Sequence, residues 1–274
     1  GQTGKLNQAI AFDSNQDATK ADYMTVSTPT IRAGMKIGSA VNENQGTVSF
    51  WFKKAGDYDS KPSNPYDFWL DNPTNDRVTV HRYAPDAGTN RLYFKASNVA
   101  IYDDIGTDLT AGNWYYFVGR WDTRRTINAG ANYVEYQVYD TGGSIKLTAN
   151  STSNPDDPTG DTTTLYVAAF NTPATYPNQG LVMDDLAIWD RPLTDTERNT
   201  LVNSGTGVRA DTVASSELTY YSDFDQTVGT VFDDEQIASS NYNRLSVSSI
   251  STVTIGISGG GATALFSSGD RVIL

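Results

Sequence analysis

GLVMDDLAIWDRPLTDTERNTLVNSG, residues 180–205, is the stretch that decides the fold class. Between Leu181 and Trp189 it is apolar apart from Asp184 and Asp185, which predicts a strand buried along most of its length. Pro192 ends the strand, because proline has no N–H to donate to a strand ladder. The stretch therefore begins with a buried strand that closes at a turn.

A short helix is predicted directly after this turn. Thr194 and Glu197 have the spacing of a capping box, in which each side chain accepts a hydrogen bond from the other residue's backbone N–H. Leu193 and Leu201 flank the helix as its predicted apolar contacts. Gly205 is the residue at which we expect it to stop, because glycine adopts the left-handed conformation of a helix end readily.

Composition narrows the class of protein. The 274 residues include no cysteine and one histidine, and the formal net charge is −12. An acidic chain without a basic patch does not attract phosphates, so we expect no nucleic acid partner. No stretch is long and apolar enough to cross a bilayer, so we expect no membrane insertion. An acidic surface suits an extracellular protein, and clustered carboxylates suit Ca²⁺.

Alternating and aromatic runs predict an all-β chain. Residues 46–54, GTVSFWFKK, place Val48, Phe50 and Phe52 on one face and Trp51 on the other. Further strands are predicted at 4–12, 23–26, 67–70, 77–83, 91–96, 113–122, 133–139 and 163–170. Short strands separated by turn residues indicate an antiparallel β-sandwich or jelly roll, here with one short helix.

Four blocks of sequence, in order, resemble laminin-G-like domains of the concanavalin-A-like lectin–glucanase jelly-roll class. They are GKLNQAIAFDS at 4–14, TVSFWFKKAG at 47–56, NWYYFVGRWD at 113–122 and GLVMDDLAIWDRPLTDTE at 180–197. Ser14 departs from the family pattern, which ends its first block on glycine. The resemblance covers residues 1–208 and implies an antiparallel jelly roll.

The resemblance divides the chain into a jelly roll at 1–208 and a β-rich C-terminal extension at 209–274. LTYYSDFD, residues 218–225, is similar to the opening strand of such domains, which this chain lacks at its N-terminus. Two hypotheses follow: the segment completes the sandwich, as in a circular permutation, or it begins a second unit. The apolar end Val272–Leu274 is expected to pair with the chain's own sheet or with a neighbouring subunit.

Motifs for catalysis are not found. Glycosidases of this fold carry two carboxylates on one strand as Glu-x-Asp-x-x-Glu, and Met183–Leu186 lacks the alternating glutamates. His81 is the single histidine, and a lone histidine in a strand is more often structural than catalytic. The chain has no Gly-x-Ser-x-Gly elbow and no phosphate-binding loop with its lysine. We therefore predict that the protein is not an enzyme.

A calcium site is a further expectation. The resemblance implies a metal near acidic loops in some of these domains, and Ca²⁺ takes carboxylate and amide oxygens. The candidate ligands are Asp13, Asn15, Asp17, Asp184 and Asp185. On an alternating strand the last two point to opposite faces, so at most one of them is expected to be a direct ligand. The alternative is that these carboxylates cap a turn or pair with an arginine.

Glycan binding is expected from aromatic and polar side chains, because rings pack on sugars while amides and charged groups bind hydroxyls. The predicted ligand-binding residues are Tyr58, Tyr66, Trp69, Arg120 and Trp121. The alternative for the tryptophans is a place in the core.

These observations predict a non-catalytic module for surface adhesion or carbohydrate binding, with a glycan or polysaccharide as partner, on an extracellular or virion surface. The alternative is a structural assembly protein, such as a virion decoration, fibre or surface-array subunit, that forms homo-oligomers through its C-terminal strands. A polysaccharide-degrading enzyme is the remaining alternative.

Overall fold

A computed structural model describes residues 2–12, 24–27, 45–54, 66–71, 78–86, 89–155, 164–168 and 180–224. Within these ranges the chain forms two antiparallel sheets and one α-helix. Four predicted site residues, namely Asp13, Asn15, Asp17 and Tyr58, lie outside the described residues, as does the segment 225–274.

The larger sheet has eight strands. Its order is β1 (Gln2–Thr3), β2 (Gln8–Ala11), β13 (Leu181–Trp189), β4 (Gln45–Lys54), β9 (Tyr115–Asp122), β10 (Val134–Asp140) and β11 (Ile145–Ser151), with β14 (Leu218–Ser222) also paired to β13. All nine residues of β13 are buried, as predicted.

The smaller sheet has six strands. Its order is β3 (Met24–Ser27), β12 (Thr164–Val167), β5 (Tyr66–Asp71), β6 (Val78–Asp86), β7 (Thr89–Ala96) and β8 (Val99–Asp104). The predicted fold class, an antiparallel β-sandwich with one short helix, is confirmed. Strands β8 and β11 were not predicted from the sequence.

The main core lies between the sheets and is largely aromatic. Phe50 and Phe52 of β4 face inward, as their alternation predicts, and Phe50 stacks on Phe117 with ring centroids 5.1 Å apart. Trp69 packs on Phe52 at 4.6 Å, and Trp121 is fully buried in the same cluster. Each such side chain stabilises the fold by roughly 2–3 kcal/mol through burial alone.

Helix α1 (Asp195–Val202) has the predicted capping box. The Thr194 hydroxyl accepts from the Glu197 N–H at 3.2 Å, and the Glu197 carboxylate accepts from the Thr194 N–H at 2.8 Å. Leu193 and Leu201 are buried, as predicted. With eight residues the helix is too short to span a bilayer, and the described ranges contain no helix long and apolar enough to do so.

The predicted stop at Gly205 is wrong, because Asn203 takes the left-handed conformation first, with φ of 42°. Gly205 has a φ of 85° and lies against the turn after β10, where a Cβ atom would come within 2.3 Å of the Thr141 backbone. Glycine is therefore required there for close packing of this turn rather than for ending the helix.

The helix and the segment after it cover the outer face of the eight-stranded sheet. Trp51, Tyr116 and Trp189 project from this face into a second apolar cluster, which Leu201 and Val213 complete. One sheet is thus packed on both faces. The six-stranded sheet packs its inner face into the main core, and its outer face carries no helix of the described chain.

Strand β13 shares one edge between two neighbours. It pairs with β4 along its other edge, while β2 bonds to it at Val182 and Met183 and β14 at Leu186 to Trp189. Residues 218–222 therefore pair within the chain's own sheet, as the hypothesis of a completed sandwich requires. The division into domains at residue 208 stays a prediction.

A buried ionic cluster joins the two sheets. Lys54 of β4 lies with its Nζ atom 2.5 Å from an oxygen of Asp67 on β5, and Arg82 on β6 lies 3.5 Å from the same oxygen. All three side chains are fully buried. Burial raises the pKa of Asp67, but the two cations outweigh this and hold the pKa below its ordinary value.

Replacing this carboxylate is expected to destabilise the protein. Asp67→Asn leaves two buried cations without their shared anion, so the free energy of unfolding should fall by about 3–5 kcal/mol in urea titrations. Asp104→Asn is the control, because its ion pair with Arg91 is exposed and should change stability by less than about 1 kcal/mol. Equal effects of the two substitutions would contradict this role.

Candidate functional site

The outer face of the six-stranded sheet carries a contiguous group of aromatic side chains, here called the tyrosine face. Its members are Tyr66, Phe68, His81, Tyr83, Tyr93 and Tyr102. Tyr102 is 47% exposed, Phe68 is buried, and the other four are half-buried. Side chains of the same strands with the opposite alternation, such as Leu92 and Phe94, lie in the main core.

Four of these residues form a row across four strands. Phe68 is paired with His81, His81 with Tyr93, and Tyr93 with Tyr102 in the registers of the sheet. Their successive ring centroids are 4.9, 5.0 and 4.9 Å apart. These spacings equal the distance between neighbouring strands, so each ring packs on the next.

Polar residues border this row on one side. Tyr66, Tyr83, Arg91 and Asp104 are paired in sequence across the same strands. The Arg91 guanidinium lies 4.5 Å from the Tyr102 ring centroid, and its Nε donates to Asp104 at 2.9 Å. The face therefore combines rings with hydrogen-bonding groups that are open to solvent.

His81 has the structural surroundings that a lone strand histidine was expected to have. Its ring is parallel to that of Tyr93, with an interplanar angle of 7°, and it stacks on Phe68 at 24°.

Most residues of the tyrosine face were missed in the sequence. The signal was the alternation in RLYFKA, residues 91–96, where Leu92 and Phe94 point one way and Tyr93 the other. The alternation implies an aromatic residue on the outer face. It gives no registers, and only the registers unite Tyr93 with residues of three other strands.

Four of the five predicted ligand-binding residues are described, and they do not lie together. Tyr66 belongs to the tyrosine face, whereas Trp69 and Trp121 are fully buried between the sheets and present no ring face to a ligand. Arg120 lies on the outer face of the eight-stranded sheet, beside the helix. The sandwich thus separates Tyr66 from Arg120.

Arg120 is the centre of a buried ionic network. Its guanidinium donates to the Leu193 carbonyl at 2.7 Å and pairs with Asp195 at 2.9 Å and with Glu135. Glu135 also accepts from Arg198 of the helix at 3.0 Å. Two cations and two carboxylates balance each other here, and together they fix helix α1 to strands β9 and β10.

A pocket of about 270 Å³ opens beside this network. It is lined by Arg120, Thr126, Ile127, Asn128, Ala129, Pro192, Leu193, Thr194 and Asp195. The guanidinium of Arg120 is 2% exposed and already bound to protein groups, so the network anchors the helix whether or not the pocket is filled.

The acidic pair in β13 lies at a bulge. Met183 and Leu186 both face the main core, so two residues, Asp184 and Asp185, occupy the space between them where strict alternation allows one. Asp185 has a φ of 56°. The expectation that the two carboxylates point to opposite faces is therefore wrong, because the bulge keeps both out of the main core.

Each carboxylate binds a different part of the chain. Asp184 Oδ2 accepts from the backbone N–H groups of Lys5 and Leu6 at 2.8 and 3.0 Å. Asp185 Oδ1 accepts from the Tyr221 hydroxyl at 2.7 Å and from the Ala210 N–H at 3.3 Å. Asp184 thus caps the turn before β2, and Asp185 holds β14 and the segment before it.

Burial dominates the titration of Asp185. Desolvation raises its pKa to about 7, although the hydrogen bonds from Tyr221 and Ala210 act in the opposite direction. The nearby charges of Asp184 and Asp211 are smaller contributions to this raised pKa. Oδ2 of Asp185 has no hydrogen-bond partner within the described part of the chain, which is consistent with a carboxyl that binds a proton readily.

The described residues do not by themselves make a calcium site. They contain no group of three or more acidic, histidine or cysteine side chains that could hold an ion. Asp184 and Asp185 are buried and already accept hydrogen bonds from the chain. A calcium ion at this pair would need further oxygens, and Asp13, Asn15 and Asp17 lie outside the described residues.

Stability should depend on pH through Asp185. The folded protein keeps its proton up to about pH 7, whereas the unfolded chain loses it near 3.8. Protonation therefore favours the folded state, and this contribution is lost as the pH rises from about 4 to about 7. Relative to Asp185→Asn, wild type should lose up to about 4 kcal/mol between about pH 4 and pH 8 in urea unfolding. A constant difference between the two proteins would contradict the raised pKa.

Comparisons with known proteins concern the fold. No protein-family model matches the chain, and no curated protein does. A heptameric SAP-like pentraxin from Limulus polyphemus is 18% identical with a TM-score of 0.46, over 73% of this chain and 83% of its own. The Ruminococcus gnavus IT-sialidase CBM40 bound to α2,3 sialyllactose is 15% identical with a TM-score of 0.42, over 69% of this chain and 95% of its own.

Tailspike protein 2 of an Escherichia coli O157:H7 bacteriophage is 9% identical with a TM-score of 0.49. The match spans 82% of this chain and 29% of the tailspike, so this chain corresponds to less than a third of that protein. At these identities no ligand or activity is carried over from the three proteins. The antiparallel sandwich that the resemblance to the jelly-roll class implies is present in the structure itself.

Proposed function

We propose that the protein is a non-catalytic carbohydrate-binding module that adheres to glycans on an extracellular or virion surface, and that the tyrosine face is its binding surface. The observation that carries the proposal is the contiguous set of partly exposed aromatic residues on the outer face of the six-stranded sheet.

The chemistry of this face suits a sugar. A tyrosine combines an apolar ring with a hydroxyl that both donates and accepts hydrogen bonds, as the alternating CH and OH groups of a pyranose require. Side chains on a strand stand roughly perpendicular to the sheet, so the phenolic ends of Tyr83 and Tyr93 lie farthest from the backbone. Arg91 and Asp104 add charged hydrogen-bonding groups at the border.

The face is also rigid before a ligand arrives. Tyr93 contacts three other rings, those of His81, Tyr83 and Tyr102. Packing on both sides limits its rotamers, so binding a ligand immobilises little additional side-chain freedom. A rigid surface with polar ends loses less free energy on binding than a set of flexible polar side chains would.

The charges near the tyrosine face support binding without hydrolysis. Glycosidases position two carboxylates about 5–9.5 Å apart on either side of the scissile bond. Among the described members of the two rows, Asp104 is the one carboxylate, and it is bound to Arg91. A single carboxylate held in an ion pair does not supply both an acid and a base.

Assembly of copies is the second candidate. Tyrosine and arginine are enriched in protein interfaces, so the same face suits contact with a second subunit. The proposal of strand exchange through residues 225–274 stands beside it, since that segment follows β14 directly.

Glycan binding should depend on the tyrosine face. The variant Tyr93→Ala/Tyr102→Ala removes two adjacent rings and their hydroxyls, so its affinity on a glycan array should fall at least about tenfold. Tyr133→Ala is the matched control, because this half-buried tyrosine packs under Arg125 elsewhere on the molecule. Its affinity should be unchanged.

Light scattering on the same proteins distinguishes the two candidates. A monomer that binds glycans through the face supports the proposed function. A multimer that dissociates in the double variant and binds no glycan would overturn it in favour of assembly.

We also retain calcium as a proposal, with Asp184 and Asp185 supplemented by Asp13, Asn15 and Asp17. If this set binds the ion, removing calcium with EGTA should lower the melting temperature, because an ion that binds only the folded state stabilises it. Adding calcium back should restore it, while magnesium should not. A melting temperature that does not change with either treatment would contradict the proposal.

A further inference from the structure

The central row of the tyrosine face, Phe68, His81, Tyr93 and Tyr102, runs across the strands rather than along one of them. Phe68 is buried, so the part of the row that a ligand can reach runs from His81 to Tyr102 over two strand spacings, roughly 10 Å. A single pyranose covers only part of this length. The dimensions of the accessible row are therefore those of linked sugars rather than of one sugar.

The rings of this row pack face to face, with interplanar angles of 24°, 7° and 36°. Their faces are occupied by one another, so a ligand meets ring edges and the polar ends of His81, Tyr93 and Tyr102. These ends recur once per strand on β6, β7 and β8. A ligand that matches them must offer hydroxyls and apolar edges at regular intervals along a straight line.

Both borders of the row supply polar groups. Tyr83, Arg91 and Asp104 line one side at successive registers, and half-buried Lys95 lies on the other side, where its cross-strand neighbour Thr79 is buried and donates to Asp71. Hydroxyls of a chain lying along the row would face Tyr83, Arg91 and Asp104 on one edge and Lys95 on the other.

We propose that the tyrosine face binds a linear glycan chain that lies across the strands, with consecutive sugars in contact with His81, Tyr93 and Tyr102. This inference rests on the proposed carbohydrate-binding function and specifies its ligand class. A chain joined through equatorial bonds is an extended ribbon and follows the straight row, whereas a chain joined through axial bonds coils away from it. The site therefore selects extended polysaccharides over coiled ones.

Chain length is the quantity that tests this. Calorimetric titrations with cello-, xylo-, manno- and chito-oligosaccharides, from disaccharide to hexasaccharide, should include one series whose affinity rises with each sugar and then levels off. Malto-oligosaccharides represent the coiled class and should bind at least about fivefold more weakly than the best extended hexasaccharide.

Variants that remove a single hydroxyl test whether individual tyrosines contact the oligosaccharide. Tyr93→Phe and Tyr102→Phe keep the stacked rings, so each should weaken the longest oligosaccharide about five- to tenfold through one lost hydrogen bond. Because Tyr102 lies at the end of the row, its variant should affect the disaccharide less than the hexasaccharide. Tyr133→Phe, outside the face, is the control.

The outcomes distinguish a failure of the linear-chain inference from a failure of the proposed carbohydrate-binding function. If the face variants abolish binding but short and long chains bind equally tightly, the linear-chain inference is overturned and the carbohydrate function stands. Tighter binding of malto-oligosaccharides would overturn it as well. No binding to any of these series or on the glycan array would overturn the proposed function, and the inference with it.

Discussion

Strand β13 must bond to three strands at once, and the bulge at Asp184 and Asp185 makes this possible. Its first residues pair with β2 and its last with β14, so the register along this edge changes at the acidic pair. Asp184 binds the backbone before β2, and Asp185 binds β14 through Tyr221. Two buried carboxylates thus hold the turn before β2 and strand β14 to β13. Their desolvation is offset only because each accepts two hydrogen bonds.

The arrangement around β13 determines which surface is left for function. Because β14 pairs with β13, the segment that connects the helix to β14 lies over the outer face of the eight-stranded sheet. There it packs on Trp51 and Trp189. The Arg120 network then fixes helix α1 at the other end of this layer. With one sheet covered on both faces, the outer face of the other sheet carries, among the described residues, exposed Tyr102 and the half-buried rings beside it.

Sequence reasoning succeeded where the pattern is local. The capping box of Thr194 and Glu197 and the inward face of β4 depend on neighbours within a few residues, and both were predicted. Strands β8 and β11 were missed because both are short edge strands: β8 ends in two aspartates, and β11 mixes apolar with polar residues. The tyrosine face could not be predicted, because its members come from four strands whose registers no local pattern encodes. The bulge at Asp185 was missed for a similar reason: its left-handed conformation is stabilised by Tyr221, 36 residues away.

Folding by itself does not require the tyrosine face. The inner face of the six-stranded sheet already buries Val80, Leu92 and Phe94, so the sandwich has its core without aromatic residues outside. Polar residues that favour strands, such as threonine, could occupy the same positions, and the sheet would then expose less apolar surface. A tyrosine that is 47% exposed on an edge strand invites unwanted association, which edge strands usually avoid with charged residues. The placement of Tyr102 under Arg91, in register with three other rings, is therefore better explained by a ligand than by stability.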